Sequence, residues 1–195
     1  MSDADLRLLI VDENLARAAV LEEGLRAAGY RRLVVVHEMQ NLLRRIVDEE
    51  PDVILIDLEN PNRDVLEQMF QVSRVVARPV AMFVDQSDAS MIEAAIDAGV
   101  GAYVVDGLRK ERVKAVVDTA ISRFRAFNKL REELDRTRQQ LEDRKLIDRA
   151  KGILMKEKGL SEEEAYSLMR SAAMRDNLRI PQVAQGIITA AGLLR

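Results

Sequence analysis

The chain has 195 residues, 48% of them hydrophobic, with 30 Lys and Arg against 33 Asp and Glu and no Cys. That length holds one large domain or two small ones, and the apolar content supports real cores. Disulfides and thiolate metal sites are excluded, and the lack of any run of about 18 apolar residues argues against a membrane span. The start, MSDADLRLLIVDEN, has neither a basic head nor a long apolar run, so no signal peptide is expected and the chain reads as soluble and cytoplasmic. Its charge is uneven. Residues 1–112 carry 13 basic and 21 acidic side chains, residues 113–143 carry 7 and 6, and residues 144–195 carry 10 and 6. An acidic front and a basic back predict domains with different partners.

Five short runs rich in Val, Ile and Leu predict buried strands: LRLLIV (6–11), RLVVVH (32–37), DVILID (52–57), PVAMFV (79–84) and AYVVD (102–106). Between them lie helical patterns: Leu15–Ala28 before Gly29, Met39–Glu50 before Pro51, Asp64–Ala77, and Ser90–Ala98 before Gly99. Strand and helix in strict alternation predict an α/β fold, a doubly wound five-stranded parallel sheet covered on both faces. Ligands of such sheets sit beyond the carboxyl ends of the strands. Asp12 and Glu13 close the first strand and Asp57 closes the third. Together they form a candidate Mg²⁺ site, and Asp57 a candidate phosphoryl acceptor beside that metal. The only His, His37, stands at a strand end with no Ser or Cys partner in view, so a structural His and a non-enzymatic protein are expected.

LLIVDEN with VILIDLENP resembles the receiver domain of two-component response regulators, over roughly residues 5–125. The resemblance implies an acidic pair at Asp12 and Glu13 and a phosphoacceptor at Asp57. Receivers also place a Ser or Thr after the fourth strand and a Lys after the fifth. Here PVAMFVDQSD puts Val84 at the hydroxyl position and AYVVDGL puts Asp106 at the Lys position. Val84 offers no donor, and an Asp in place of a cation adds a like charge to a site that already repels anions. These departures argue against phosphoryl chemistry at Asp57. They leave the pocket as a Mg²⁺ site or as a surface read by another protein, and favour control by a binding partner.

From Val113 to about Lys158 the pattern is helical, with no Pro and Gly152 as the only Gly. Phe124, Phe127, Leu130, Leu134, Thr137 and Leu141 recur at spacings of three and four among charged residues. So narrow a stripe is a coiled-coil seam, predicting a homodimer, or else one long helix packed on its own domains. Ser161 and Glu164 form a capping box for a helix to about Arg175, and Pro181 suits the first turn of another. The expected three-helix core is Ile147, Leu154, Ala165, Leu168, Met169, Ala172, Ala173, Ile180, Val183, Ala184 and Ile187, with Met174 also core. The predicted domains are 1–122, a linker helix 123–143, and a bundle 144–195.

Basic residues gather on the first helix of that bundle (Arg144, Lys145, Arg149, Lys151, Lys156) and near the connection that follows the second (Arg170, Arg175, Arg179). A helix-turn-helix DNA reader is one reading, but MRDNLRIPQ is longer than its tight turn and no strongly basic helix follows. Gly152 serves close helix packing or the close approach of a partner backbone. Tyr166 either stacks on a base or lies in the core, and Asn177 either bonds a base edge or caps a helix. RKLIDRAKGILM, SEEEAYSLMRSAAM and IPQVAQGII resemble the ANTAR domain, the RNA-binding module of transcription antiterminators of the AmiR and NasT type, over roughly residues 138–193. Combined with the degenerate receiver, the resemblance points to the nitrate-assimilation type. It implies binding to paired hairpins in a leader transcript, suppression of a terminator, and a nitrate- or nitrite-sensing partner protein. The remaining alternatives are a dimeric DNA-binding response regulator and an interaction scaffold that binds no nucleic acid.

Overall fold

The computed structural model describes residues 5–38, 40–59, 61–105 and 109–193. The chain divides into two compact units, Met1–Asn128 and Lys129–Arg195.

The first unit alternates β1 (Arg7–Val11), α1 (Leu15–Ala27), β2 (Arg32–Val36), α2 (Leu42–Glu49), β3 (Val53–Leu58), α3 (Arg63–Val75), β4 (Val80–Val84), α4 (Ala89–Asp97) and β5 (Ala102–Val104), and ends in the start of α5 (Val113–Lys158). The five strands pair in parallel in the order β2-β1-β3-β4-β5, so the order reverses between β1 and β3. Pleating sorts the strand residues by parity. Leu9, Val11, Ile54, Ile56, Val80, Met82 and Val84 pack with α2, α3 and α4. Leu8, Ile10, Val53, Leu55, Ala81 and Phe83 pack with α1 and α5. Both sets are buried, which explains why the central strands read as unbroken apolar runs.

Helix boundaries follow their caps. Asn14, Asn62 and Asp88 accept from backbone N–H groups in the first turns of α1, α3 and α4. α2 begins at Leu42, where Asn41 turns the chain through the left-handed region at φ 59°; the expected start, Met39, lies outside the described residues. α3 stops at Val75, short of Ala77, where Val76 is extended. β5 has three residues, not five. Gly101, just before it, abuts α5: a Cβ there would meet the Ala120 backbone at 2.9 Å, so no side chain fits.

The second unit contains the end of α5, then α6 (Glu162–Asp176) and α7 (Ile180–Leu193). Ser161 and Glu164 make the full capping box at α6. α7 starts at Ile180, one residue before the expected Pro181, and Gln182 Oε1 accepts from the Arg179 N–H (2.8 Å), the side-chain half of a capping box without its reciprocal bond. The core is Ala150, Leu154, Ala165, Met169 and Ala184, with Leu146, Ile147, Leu160, Ile180, Val183, Ile187 and Ile188 against it. Leu168 and Met174, expected inside, are 44% and 74% exposed. A short helix packing on small residues buries a narrow stripe, here Ala165, Met169 and Ala173, and the flanking positions stay in water.

Candidate functional site

The strand-end pocket is built by parity. Asp12 follows Leu8 and Ile10 on the α1 side of the sheet, and Asp57 follows Val53 and Leu55 on that same side. Both are buried, 2% and 1% exposed. Asn14 fixes the loop between them and α1: its N–H donates to Asp12 Oδ1 (2.8 Å) and its Oδ1 accepts from Ala16 and Arg17 N–H. The cap sets Arg17 in the first turn of α1, over Asp57. Arg17 Nε donates to Asp57 Oδ2 (3.1 Å), Nη2 donates to Asp57 Oδ1, and Nη1 donates to Asp85 Oδ2 (2.8 Å). A planar guanidinium thus grips one carboxylate with two nitrogens and a second carboxylate with the third, a rigid fork that a Lys ammonium does not offer.

Burial pushes the Asp57 carboxyl up, while Arg17 opposes the shift. Burial also raises Asp12, from 3.8 to about 6, against the hydrogen bond from the Asn14 N–H, with Asp57 adding to the rise. Burial would lower the Arg17 guanidinium, and its hydrogen bonds to Asp57 and Asp85 more than offset that, so it stays charged. Asp12 Oδ2 is buried and has no hydrogen-bond partner. Beside these groups opens a cleft of about 660 Å³ lined by Asp12, Glu13, Asp57, Glu59 and Asn62.

Glu13, expected beside Asp12 as a metal ligand, is exposed. Among the described residues no three His, Cys, Asp or Glu side chains are grouped to hold a metal. Receiver domains typically bind Mg²⁺ through acidic residues, but this arrangement does not fit that ion. Both oxygens of Asp57 are engaged by Arg17, which leaves an unpartnered oxygen on buried Asp12 and the exposed Glu13 and Glu59 at the cleft wall. Val84, at the hydroxyl position, is fully buried in the core on the α3–α4 side. Asp106, at the Lys position, lies outside the described residues. Sequence reading missed Arg17, because only the cap at Asn14 and the parity of β3 bring it to Asp57. His37 Nδ1 meets the Asp12 carbonyl oxygen at 2.8 Å, the structural role expected of it.

On α5, Lys145, Arg149, Gly152 and Lys156 recur at spacings of four, three and four, and all are exposed. A Cβ on Gly152 would meet nothing within 4 Å, so Gly152 serves no close packing in this chain. Lys145 pairs with Glu142 (2.7 Å), whereas Lys151 is held from two sides. Its ammonium pairs with Asp148 (2.7 Å) and Glu162 (2.6 Å), its side chain is 15% exposed, and the hydrogen bonds to Asp148 and Glu162 raise its pKa. Arg144 lies 3.8 Å from Asp148, and Arg175 pairs with Asp176. Tyr166 is 42% exposed, which overturns its placement in the core. Arg170 and Met174 follow it along one exposed stripe of α6. Asn177 ends α6 in the left-handed conformation, φ 53°, so capping is its structural role. Arg179 is exposed. Because α6 reaches Asp176, its connection to α7 is only Asn177–Arg179, shorter than expected.

Phe127, Leu130, Leu134 and Leu141 of the stripe are 50–65% exposed, and Phe124 is partly buried. Phe124 and Phe127 line an apolar hollow with Ile96 and Val100. Among the described residues no helix is long and apolar enough to cross a membrane.

A parallel sheet of this order with two buried Asp at its reversal point is the architecture of a receiver. Residues 8–118 match the response regulator receiver domain and residues 135–188 match the ANTAR domain. The chain belongs to the response regulator receiver family and is of the type that carries an ANTAR domain behind the receiver. It is similar to the transcriptional regulatory protein PdtaR of Mycobacterium tuberculosis H37Rv, 28% identical over 195 residues, covering 98% of this chain and 95% of that protein. It is also similar to the nitrate regulatory protein of Klebsiella oxytoca, 42% identical over 55 residues, 28% of this chain and 14% of that one. A crystal structure of a response regulator from Thermotoga maritima shares the fold, with TM-score 0.51 and 18% identity over 60% of this chain and 98% of that one. Neither matched family is an enzyme family.

Proposed function

We propose that the chain is an RNA-binding regulator of transcription antitermination that acts on hairpins in leader transcripts and takes its input through the receiver. One observation carries the reading. Within the segment that matches the ANTAR domain, Lys145, Arg149, Gly152 and Lys156 share one exposed face of α5, while Ala150 and Leu154 fill the core. Arg149 and Lys156 contact phosphates, and Gly152 between them leaves room for the strand. Tyr166 offers a ring to an unpaired loop base, with Arg170 one turn away. Lys151 is committed to Asp148 and Glu162 and plays a lesser part.

The exposed stripe on α5 is the seam of a homodimer. Two bundles then hold two hairpins at once, raising avidity through effective concentration. The partner that controls the receiver is a nitrate- or nitrite-sensing protein. The name of the Klebsiella oxytoca relative supports that setting. The short α6–α7 connection also suits a helix-turn-helix, which makes duplex DNA the competitor to test.

The test is filter binding of the full chain to a two-hairpin RNA and to duplex DNA of equal length over a range of salt. RNA is expected to bind more tightly. Arg149→Ala and Lys156→Ala should each lower affinity and flatten the salt slope by roughly 0.7–0.9. Tyr166→Ala should lower affinity and leave the slope alone. Preference for DNA would replace the reading with a DNA-binding regulator, and no binding to either would leave an interaction scaffold.

A further inference from the structure

We propose that Arg17 is the resident cation of the receiver pocket and excludes a divalent metal from it. The inference stands apart from the RNA reading. Mg²⁺ demands a near-octahedral oxygen shell and keeps several waters, and it enters a protein site through one or two carboxylates with free oxygens. Asp57 has none to give, because Arg17 Nε and Nη2 donate to its two oxygens. This is a bidentate, charge-assisted pair, the strongest form of side-chain hydrogen bond. The Asp57 side chain is fully buried and that of Arg17 only 19% exposed, so water screens the pair little.

Asp85 makes the arrangement durable. It holds the third guanidinium nitrogen, Nη1, at 2.8 Å. A metal arriving at Asp57 would therefore have to move an arginine that a second carboxylate and the Asn14 cap both hold in place. Of the other acids at the cleft, Asp12 is buried with one unpartnered oxygen, Glu13 is exposed, and Glu59 accepts from Asn14 Nδ2 (3.0 Å). What remains for a metal is one oxygen of Asp12 and the exposed carboxylates of Glu13 and Glu59 at the cleft wall, without either oxygen of Asp57. The position after β4 and the first turn of α1 thus act together. The residue next to the missing hydroxyl contributes the second carboxylate, and the helix contributes the cation. The pocket keeps one charge state at any concentration of divalent metal, so its conformation is insensitive to that metal.

The probe is Mn²⁺, whose free-ion EPR signal falls when it binds, titrated into the full chain after stripping with EDTA. Wild type is expected to leave the signal where the Asp57→Asn variant leaves it. Arg17→Met frees the Asp57 oxygens and should bind one Mn²⁺, lost again in the Arg17→Met, Asp57→Asn double variant. With Mn²⁺ about tenfold above Kd, the single variant should gain about 4–8 °C in melting midpoint, and wild type should gain none. If Arg17→Met does not fold, Arg17→Gln takes its place, since a neutral amide keeps some of the polar packing but brings no cation to compete for the Asp57 oxygens. A wild-type chain that binds one Mn²⁺ through Asp57 overturns the proposal. So does a folded Arg17 variant that binds none.

Discussion

Asp12→Asn should stabilise the first unit, and by an amount that depends on pH in a calculable way. Asp12 is 2% exposed, and its pKa is raised from 3.8 to about 6. An acid whose folded pKa is raised binds more protons folded than unfolded between those values. Stability is therefore greatest below about pH 4 and is lost as pH rises through about 6. A shift of about two units corresponds to roughly 3 kcal/mol of strain at pH 7 and above. Asn keeps an oxygen for the Asn14 N–H, which Asp12 Oδ1 now accepts at 2.8 Å, and removes the charge from Oδ2, which has no partner. The expected gain at pH 8 is roughly 2–3 kcal/mol, about 6–15 °C in the midpoint of that unit, and it should shrink to near zero by about pH 4. Calorimetry of both chains in EDTA from acid to alkaline pH reads it directly. A variant no more stable than wild type at pH 8, or a gain that does not vary with pH, would refute the account of a buried, strained carboxylate.

Gly152→Ala should raise helix stability by up to about 1 kcal/mol, because the new Cβ meets nothing within 4 Å; an unchanged or lower midpoint would show hidden packing there. Met169→Ala should cost about 2–5 kcal/mol in the second unit, since its side chain is fully buried among Ala150, Leu154 and Ala184; a loss below about 1 kcal/mol would place the core elsewhere. Polar replacements of Leu130 and Leu134, which are 65% and 50% exposed, should give monomers in analytical ultracentrifugation without loss of helix content; an unchanged mass would move the dimer contact off this seam. Asp57→Asn should retain antitermination in a reporter strain, because the amide oxygen still accepts from Arg17; complete loss in a folded protein would argue for a working phosphoacceptor.

The central strands were legible because both of their faces are buried, and a run such as VILID has few other ways to hide. The helices were legible in their bodies and less so at their ends. Asn41 in the left-handed region and Val76 in extended backbone are choices made by single residues, and no periodicity announces them. The acids of the pocket could be found from strand ends alone. Arg17 could not, since it sits on a helix whose apolar pattern carries no mark of it. Its role depends on which face of the sheet Asp57 takes and where Asn14 starts the turn. In the bundle, spacing allowed Leu168 and Met174 either side of the core stripe. Which side a borderline position takes is decided by the width of the partner surface, and the small residues Ala150 and Ala184 make it narrow.

The two margins of the sheet have a bearing on solubility. β2 and β5 are the outer strands. β5 offers three residues, and the exposed Arg31 and Arg32 stand where β2 begins. A short strand and a charged one are both poor templates for an incoming strand. Growth of the sheet from one molecule into the next, the route by which exposed strand edges seed fibrils, is disfavoured at both ends. Concentrated solutions of this chain should therefore remain free of cross-β aggregates while the first unit stays folded.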